Sequence, residues 1–484
     1  MLGALAFGAW TGFPVNDDAL LVLLLRDSGI SSVAQANANR PVCALLLEVL
    51  GGIAGLRSAP YVAIGVAFWA LLAWQTNRLS RRLLGPETPV GALAALLVLA
   101  PILVSPHYTT VTTVFPANLP VSLSLAALMI CLGEGSERRP LLALLAAAGL
   151  AGAAGAVSEY GVATSLAAAA LLWTMRRRRA TAFLLLGAAV GYLIFRAIGD
   201  VSVRPRQMPS EQLARFLARP FTGVFHLFDG LWSSFLGAYG TAAGAVRLDA
   251  ESRSTILAAL VGLAVAIPIV RLYRRASEPK DGAHRVLIGL ALAVMAGLLP
   301  VVLANRTPVS VDPYESRYLI PVLPFAAIGT ACGLQRLTGR RFRPWAAGIA
   351  AFLAGYTVVV GAFGARNQQR RFEDLGRLLQ PLARASSGVT FAVCPDSILL
   401  DGADMTPKVT RRWTDAEARR VWVMPSSEAR SLFGTRTNCG ATDRIGQPRS
   451  LHFPREGPVS HLVWIPIEGG ALGNLEPYCC GPQR

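Results

Sequence analysis

The sequence has little charge and almost no lysine. Charged residues make up 15% of the chain, and the 46 basic residues include only two lysines, Lys280 and Lys408. A soluble globular protein carries roughly 25% charged residues, and the mean hydropathy of this chain is +0.45. This composition excludes an ordinary soluble globular protein and predicts a polytopic membrane protein.

The excess of basic residues does not indicate a nucleic-acid partner. The formal net charge is +17, but the arginines fall in short clusters between apolar runs and form no basic patch interleaved with aromatic residues. The sequence also contains no Walker A loop, Rossmann fingerprint, HExxH or nucleophile elbow. Cytoplasmic nucleotide-sugar chemistry therefore has no support, and membrane topology explains the arginine clusters better.

Apolar runs long enough to cross a bilayer recur along the first three quarters of the chain. Together with a short N-terminal apolar segment, they predict about eleven transmembrane helices. The ten runs lie near residues 60–76, 89–104, 118–133, 140–157, 160–174, 180–198, 254–272, 286–304, 318–335 and 345–365.

The basic clusters separate alternate apolar runs, so all of them fall on one side of the membrane. The positive-inside rule makes that side cytoplasmic. The opposite, extracytoplasmic face then holds the 105–117 loop, Glu159 and the 199–253 and 305–317 stretches. The clusters are Arg78/Arg81/Arg82, Arg138/Arg139, Arg176 to Arg179, Arg274/Arg275/Lys280/Arg285 and Arg336/Arg340/Arg341/Arg343.

The stretch 220–240, PFTGVFHLFDGLWSSFLGAYG, is nearly long and apolar enough to count as a further span. If it crossed the membrane, every later loop would change sides and Arg274 would lie outside. Its aromatic residues recur every three or four positions, which is typical of one face of a helix. We therefore predict an interfacial helix on the outer leaflet, either an aromatic anchor and packing face or a groove for a lipid substrate.

The character of the chain changes after about residue 366. Hydrophobic runs become short (VTFAVC, RRVWVMP, HLVWIPI) and alternate with Pro, Gly and polar residues. This pattern predicts a transmembrane domain over residues 1–366 and a small extracytoplasmic α/β or mostly β domain over residues 367–484. The tail has an even number of cysteines, which permits one or two disulfides outside the cytoplasm. They are Cys394, Cys439, Cys479 and Cys480.

Two adjacent carboxylates, Asp17 and Asp18, follow the first apolar segment in FPVNDDALLVLLLRDSG. Carboxylates beside hydrocarbon are costly unless they are solvated, paired or bound to a cation. One interpretation is an N-cap of a helix that starts at Ala19, favoured by the helix dipole. The other is a functional site at the outer membrane surface.

Three stretches contain further motifs: the acidic pair followed by Arg40-Pro41, AGAVSEYGVATS around Glu159, and DPYESRYLIPVLP. Together they resemble GT-C type membrane glycosyltransferases, specifically the bacterial protein O-mannosyltransferase-like family. The acidic pair precedes a segment with Arg40-Pro41, and the family places after its acidic outer loop a juxtamembrane helix that opens on Arg-Pro. Glu159 in AGAVSEYGVATS matches the acid of a motif between two apolar helices, although the family's Lys is absent. DPYESRYLIPVLP is similar to the family's Glu-Arg-Tyr-Leu-x-x-Pro, with Ser316 inserted between Glu315 and Arg317.

The resemblance implies an all-α membrane domain with the GT-C arrangement of helices, in the inner membrane of a bacterium. It also implies an inverting transfer of a sugar from a polyprenyl-phosphate lipid to an extracytoplasmic acceptor: a glycan, a lipid or a protein. Asp17 or Asp18 is then the catalytic base that takes the proton from the acceptor hydroxyl. The expected substrate-binding residues are Arg317 and Arg40, which bind the leaving phosphate, together with Glu159 and Tyr318.

Structural roles are the alternatives for these side chains. Arg317 can pair with a nearby acid to fix its loop, and Arg40 can extend to lipid head groups. We expect Glu159, between two strongly apolar helices, to hydrogen-bond or to pair with an inward-facing cation.

The sequence identifies no cofactor with certainty, and a divalent cation is one of the alternatives. Many GT-C enzymes hold a second acid in the second outer loop, where it helps to bind a divalent cation. Here that loop reads SPHYTTVTTVFPAN and offers only His107, so a divalent cation stays an open alternative. Two other function classes also stay open: a non-catalytic scaffold for cell-envelope glycan assembly, and a transporter, although transporters usually carry charges at mid-membrane.

Overall fold

The computed structural model of the chain describes eleven helices, followed by ten short strands. Outside the strands, the described residues are 40–54, 58–86, 88–99, 111–133, 140–198, 218, 221, 252–275, 283–303, 319–337 and 341–359.

Each apolar run of the sequence overlaps one helix, and one further helix opens directly after Arg40. The helices are α1 (Pro41–Ala54), α2 (Ser58–Leu84), α3 (Val90–Leu99), α4 (Val111–Gly133), α5 (Pro140–Val157), α6 (Glu159–Thr174), α7 (Arg178–Ile198), α8 (Ser252–Arg275), α9 (Ala283–Leu303), α10 (Leu323–Leu337) and α11 (343–359).

The start of α4 corrects the prediction of a loop over 105–117. Residues 111–117 are helical, and α4 continues through Pro116 and Pro120. Proline in a helix removes one N–H donor and therefore leaves one carbonyl without its helical partner. A helix surrounded by other helices tolerates this, because a neighbouring side chain can donate to the freed carbonyl.

Four of the described helices are long and apolar enough to cross a membrane: α4, α5, α7 and α8. Three of them, α5, α7 and α8, expose large hydrophobic side chains, whereas α4 is mostly buried. Leu186, Leu193 and Ile198 on α7 are 64%, 67% and 62% exposed. An apolar surface of this kind is stable against lipid but not against water. The prediction of a helical membrane protein is confirmed, while the total of about eleven spans stays a prediction.

Several helices end or begin at one end of the bundle. We call this end, where Arg82 and Arg177 lie, the basic end. Arg82 near the end of α2 donates to the Met129 carbonyl near the end of α4, and Arg177 before α7 donates to the Cys131 carbonyl at 2.9 Å. The Tyr273 hydroxyl near the end of α8 donates to the Ala331 carbonyl of α10 at 3.3 Å. These bonds place the C-terminal ends of α2, α4 and α6 together, and join α8 to α10.

Helices α5 and α7 both start near the basic end and run side by side in the same direction. Glycines line this contact: a Cβ atom on Gly191 would collide with the Gly152 carbonyl, and one on Gly187 with the Ala148 carbonyl. Small residues at such positions let two backbones approach closely. In lipid, which is as apolar as the side chains, helices associate through this close van der Waals packing and not through the hydrophobic effect. The α5 and α7 backbones therefore form a tight pair.

The described strands belong to a second compact unit and all lie between residues 391 and 480. The strands are β1 (Phe391–Pro395), β2 (Val421–Val423), β3 (Arg436–Thr437), β4 (His452–Phe453), β5 (Gly457–Pro458), β6 (His461–Ile465), β7 (Ile467–Glu468), β8 (Ala471–Leu472), β9 (Glu476–Pro477) and β10 (Cys479–Cys480).

The main sheet of this unit has the order β2-β1-β6-β9, with β1 parallel to β2 and β6, and β6 antiparallel to β9. Three of its strands overlap the short runs VTFAVC, RRVWVMP and HLVWIPI.

Two predictions about organisation stay untested. The domain boundary at residues 366/367 lies outside the described residues. So does most of the 220–240 stretch, of which only residue 221 is described.

Candidate functional site

A sharp turn at Ser158 positions Glu159 at the start of α6. Ser158 is the single residue between α5 and α6, and its backbone is extended, with φ −168° and ψ 169°. Its side-chain oxygen accepts a hydrogen bond from the Tyr160 N–H at 3.2 Å and so caps the helix. The Glu159 carboxylate consequently sits in the first helical turn, where the helix dipole favours a negative charge.

Ser158 also ties this turn to α4. Its hydroxyl donates to the carbonyl of Pro116. That carbonyl would normally accept the N–H of the residue four positions later, but this residue is Pro120, which has none. One serine therefore caps α6 and satisfies the carbonyl that the proline leaves open in α4.

Glycine permits α6 to fold back tightly onto α5. A Cβ atom on Gly161 would collide with the Ala154 carbonyl. One turn further along α6, Thr164 donates to the Tyr160 carbonyl at 2.9 Å and lies 3.3 Å from the Pro321 carbonyl. This contact holds the segment that precedes α10 against the first two turns of α6.

The acid at the start of α6 pairs with the arginine that precedes α1. Arg40 Nη2 donates to Glu159 Oε1 at 3.2 Å, and the two side chains are 30% and 40% exposed. The expectation that Glu159 pairs with a cation is thus confirmed, and the cation is Arg40. Because Arg40 pairs with Glu159, the structure does not show the alternative in which Arg40 only extends to lipid head groups.

Helix α1 is held in place by contacts one turn beyond Arg40. The buried Cys43 thiol donates to the Val157 carbonyl at the end of α5, with Sγ 3.6 Å from the oxygen. Burial alone would lower the pKa of Arg40, but the Glu159 carboxylate, with smaller contributions from Tyr160 and Cys43, raises the pKa above its usual value. The guanidinium is therefore permanently charged.

The pair lies at the end of α6 remote from the basic end. Helix α6 has 16 residues, so Glu159 is about 22 Å along the axis from Thr174, about three quarters of the thickness of a hydrocarbon core. We call this the Glu159 end of the bundle. It combines a fixed cation and a carboxylate in positions that solvent and a polar ligand can reach.

The arrangement is suited to binding a polar, partly anionic ligand. A guanidinium has five N–H donors, and Nη2 of Arg40 is engaged by Glu159. Arg40 Nε is buried and has no hydrogen-bond partner among the described residues. The donor fork of arginine matches phosphate oxygens, and a carboxylate accepts hydrogen bonds from sugar hydroxyls.

Of the predicted site residues, the structure brings together Arg40 and Glu159. The other four, Asp17, Asp18, Arg317 and Tyr318, lie outside the described residues, as does His107. Their roles stay predictions. Within the described ranges, no group of three or more His, Cys, Asp or Glu side chains could hold a metal ion.

Sequence reasoning missed Ser158 and its link to Pro116. A signal was present, because serine directly before an acid and an apolar run is a typical helix N-cap.

No family model matches the chain, and no curated protein or solved structure matches it.

Proposed function

We propose that the chain is an inverting membrane glycosyltransferase of the GT-C type that uses a polyprenyl-phosphate-linked sugar. Support comes from the ion pair between Arg40 and Glu159, two residues of the motifs that resemble the family. The pair is partly exposed at one end of an apolar helical bundle. A lipid-linked donor requires such a site, because its phosphate and sugar lie at the membrane surface while its prenyl chain stays in the bilayer.

The proposed reaction forms one bond and breaks one. The acceptor hydroxyl oxygen attacks the anomeric carbon of the sugar from the side opposite the phosphate. The bond between that carbon and the phosphate oxygen breaks, and the polyprenyl phosphate leaves with the bonding electron pair. Asp17 or Asp18 takes the hydroxyl proton, and Arg317 and Arg40 stabilise the charge of the leaving phosphate. Glu159 orients Arg40 and hydrogen-bonds the donor, and Tyr318 lines the donor site.

The site is proposed to face the outside of a bacterial inner membrane. The arginines at the basic end lie on the cytoplasmic side by the positive-inside rule, which puts the Glu159 end outside. The tail, with its β-sheet, belongs on that same outer side in this proposal. The donor lipid and an extracytoplasmic glycan, lipid or protein acceptor meet there.

The distribution of charge favours this proposal over transport. In the four candidate spans, every charged residue lies within five positions of an end of the span, for example Arg196 in α7 and Arg271 in α8. Transporters usually carry charged side chains near the bilayer midplane, where the substrate binds. Chemistry at the membrane surface needs charge only at the helix ends.

The test is transfer of labelled sugar from a panel of polyprenyl-phosphate donors by membranes that contain the full chain. Wild type should consume at least one donor. Asp17→Asn, Asp18→Asn and Arg317→Ala should each be compared with Arg196→Gln, which removes a charge in the last turn of α7 and should leave transfer unchanged. Unaltered transfer by all three site variants would contradict the site. No consumption of any donor by wild type would contradict the function and favour the scaffold.

A further inference from the structure

Three exposed arginines stack on three exposed tryptophans in the part of the molecule that contains the basic end. The guanidinium carbons of Arg78, Arg178 and Arg274 lie 5.2, 5.6 and 5.5 Å from the ring centroids of their partners. Those partners, Trp74, Trp173 and Trp345, are 50%, 60% and 58% exposed. Each pair therefore presents a cation on an aromatic face at the surface.

The ring contact of each guanidinium is made by its positive charge and uses no N–H donor in a conventional hydrogen bond. The five donors of the arginine fork can therefore bind a further ligand. Within the described residues, neither a carboxylate nor a carbonyl engages Arg78, Arg178 or Arg274. By contrast, Arg82 and Arg177 are already bound to the carbonyls at the end of α4.

The pairs sit at the border between apolar surface and charged helix ends. Trp345 begins a stripe of exposed apolar residues on α11 that continues at Ile349 and Leu353, four and eight positions later. Trp173 is the exposed end of α6, a helix that is otherwise largely buried. Tryptophan at the end of a lipid-facing stripe marks the level of the lipid head groups.

We propose that these three Arg–Trp pairs bind the phosphates of anionic phospholipids, one head group at each pair. The arginine fork matches the phosphate oxygens, and the indole packs beside the glycerol backbone and the first methylenes of the acyl chain. A zwitterionic lipid brings its own ammonium group close to the phosphate, which weakens the attraction to arginine. The pairs therefore select for lipid with a net negative charge.

The test uses purified full-length chain in detergent, titrated with phosphatidylglycerol or with phosphatidylcholine, and native mass spectrometry to count bound lipids. The informative variant is Arg78→Lys/Arg178→Lys/Arg274→Lys. It retains every positive charge, and therefore the topology signal, but loses the planar fork. We expect phosphatidylglycerol to bind about two- to fivefold more weakly at each altered pair. Phosphatidylcholine should bind weakly and equally to both forms.

Arg196→Lys is the matched control, since Arg196 lies at the far end of α7 from Arg178 and stacks on no ring among the described residues. It should bind phosphatidylglycerol like wild type. Size-exclusion profiles and helical circular dichroism of every variant check the fold, and the three single variants serve if the triple variant is unstable. The proposal is overturned if the lysine variants keep wild-type affinity for phosphatidylglycerol. It is also overturned if wild type binds both lipids equally.

Discussion

Arg40 and Glu159 lie 119 positions apart in the chain, yet Arg40 Nη2 meets Glu159 Oε1 at 3.2 Å. Each residue stands at the beginning of a helix, Arg40 directly before α1 and Glu159 as the first residue of α6. The pair therefore links two helix starts at one end of the bundle. Its partial exposure leaves both groups within reach of a ligand.

The first prediction concerns the energy of this pair. A double-mutant cycle with Arg40→Gln and Glu159→Gln should give a coupling free energy of about 1 kcal/mol, because exposed ion pairs are screened by solvent. The free energy of unfolding in mixed detergent and denaturant is the measurement. A second cycle with Arg196→Gln in place of Arg40→Gln should give no coupling. Equal couplings in the two cycles would show that the pair has no specific interaction.

The second prediction concerns the two roles of Ser158. Ser158→Ala removes the cap of α6 and leaves the Pro116 carbonyl without a donor, so the free energy of unfolding should fall by about 2 to 3 kcal/mol. Pro120→Ala restores an N–H to that carbonyl and should return about 1 kcal/mol in the double variant.

Thr76→Val is the control for Ser158→Ala. Thr76 is buried and donates at 2.7 Å to the Leu72 carbonyl, to which its own helical N–H also points. Removing the hydroxyl therefore leaves no carbonyl without a hydrogen-bond donor, and the free energy of unfolding should fall by less than about 1 kcal/mol. If Pro120→Ala gave no rescue, the Ser158 hydroxyl would have no role in satisfying α4.

The third prediction concerns the contact between α5 and α7. Gly191→Ala forces a methyl group against the Gly152 carbonyl, so the two backbones must separate, at a cost of about 1 to 3 kcal/mol. Gly149→Ala on α5 points into open space and should be neutral or slightly stabilising. Thermal unfolding monitored by circular dichroism compares the two. A Gly191→Ala variant as stable as Gly149→Ala would mean that the helices are not so closely packed.

The fourth prediction concerns orientation. Alkaline phosphatase fused after residue 158 should be active, and the same reporter fused after residue 178 should be inactive, because the basic end is expected in the cytoplasm. A fluorescent protein that folds only in the cytoplasm should give the opposite pattern. The reverse result at both positions would place the Arg40–Glu159 pair inside the cell and remove the basis for an extracytoplasmic reaction.

Helix positions were predictable because lipid imposes a simple requirement on the sequence. A span needs an uninterrupted apolar run, and each of the ten runs overlaps a helix. The start of α4 was not predictable in the same way, since Pro116 and Pro120 are ordinarily signals for a helix break. The carbonyl that Pro120 leaves open is satisfied by Ser158, a residue in a different part of the chain.

The candidate site was predictable as a set of residue types but not as a set of contacts. An acid between two apolar helices indicated that Glu159 would need a partner. Nothing in the local pattern identified Arg40 as that partner, because the contact depends on how α1 packs against the end of α5. The sequence likewise gives no indication of the contact between Cys43 and Val157, which holds α1 against the end of α5.

The most direct test of the proposed site is the initial rate of sugar transfer by Arg40→Gln compared with Arg196→Gln. Both variants remove one arginine near the Glu159 end, but Arg40 alone is proposed to bind the leaving phosphate. With a donor that wild type consumes, Arg40→Gln should lose about tenfold or more in rate, roughly the contribution of one charged hydrogen bond. Arg196→Gln should keep the wild-type rate. Equal rates for wild type and Arg40→Gln would contradict a role for the Arg40–Glu159 pair in transfer.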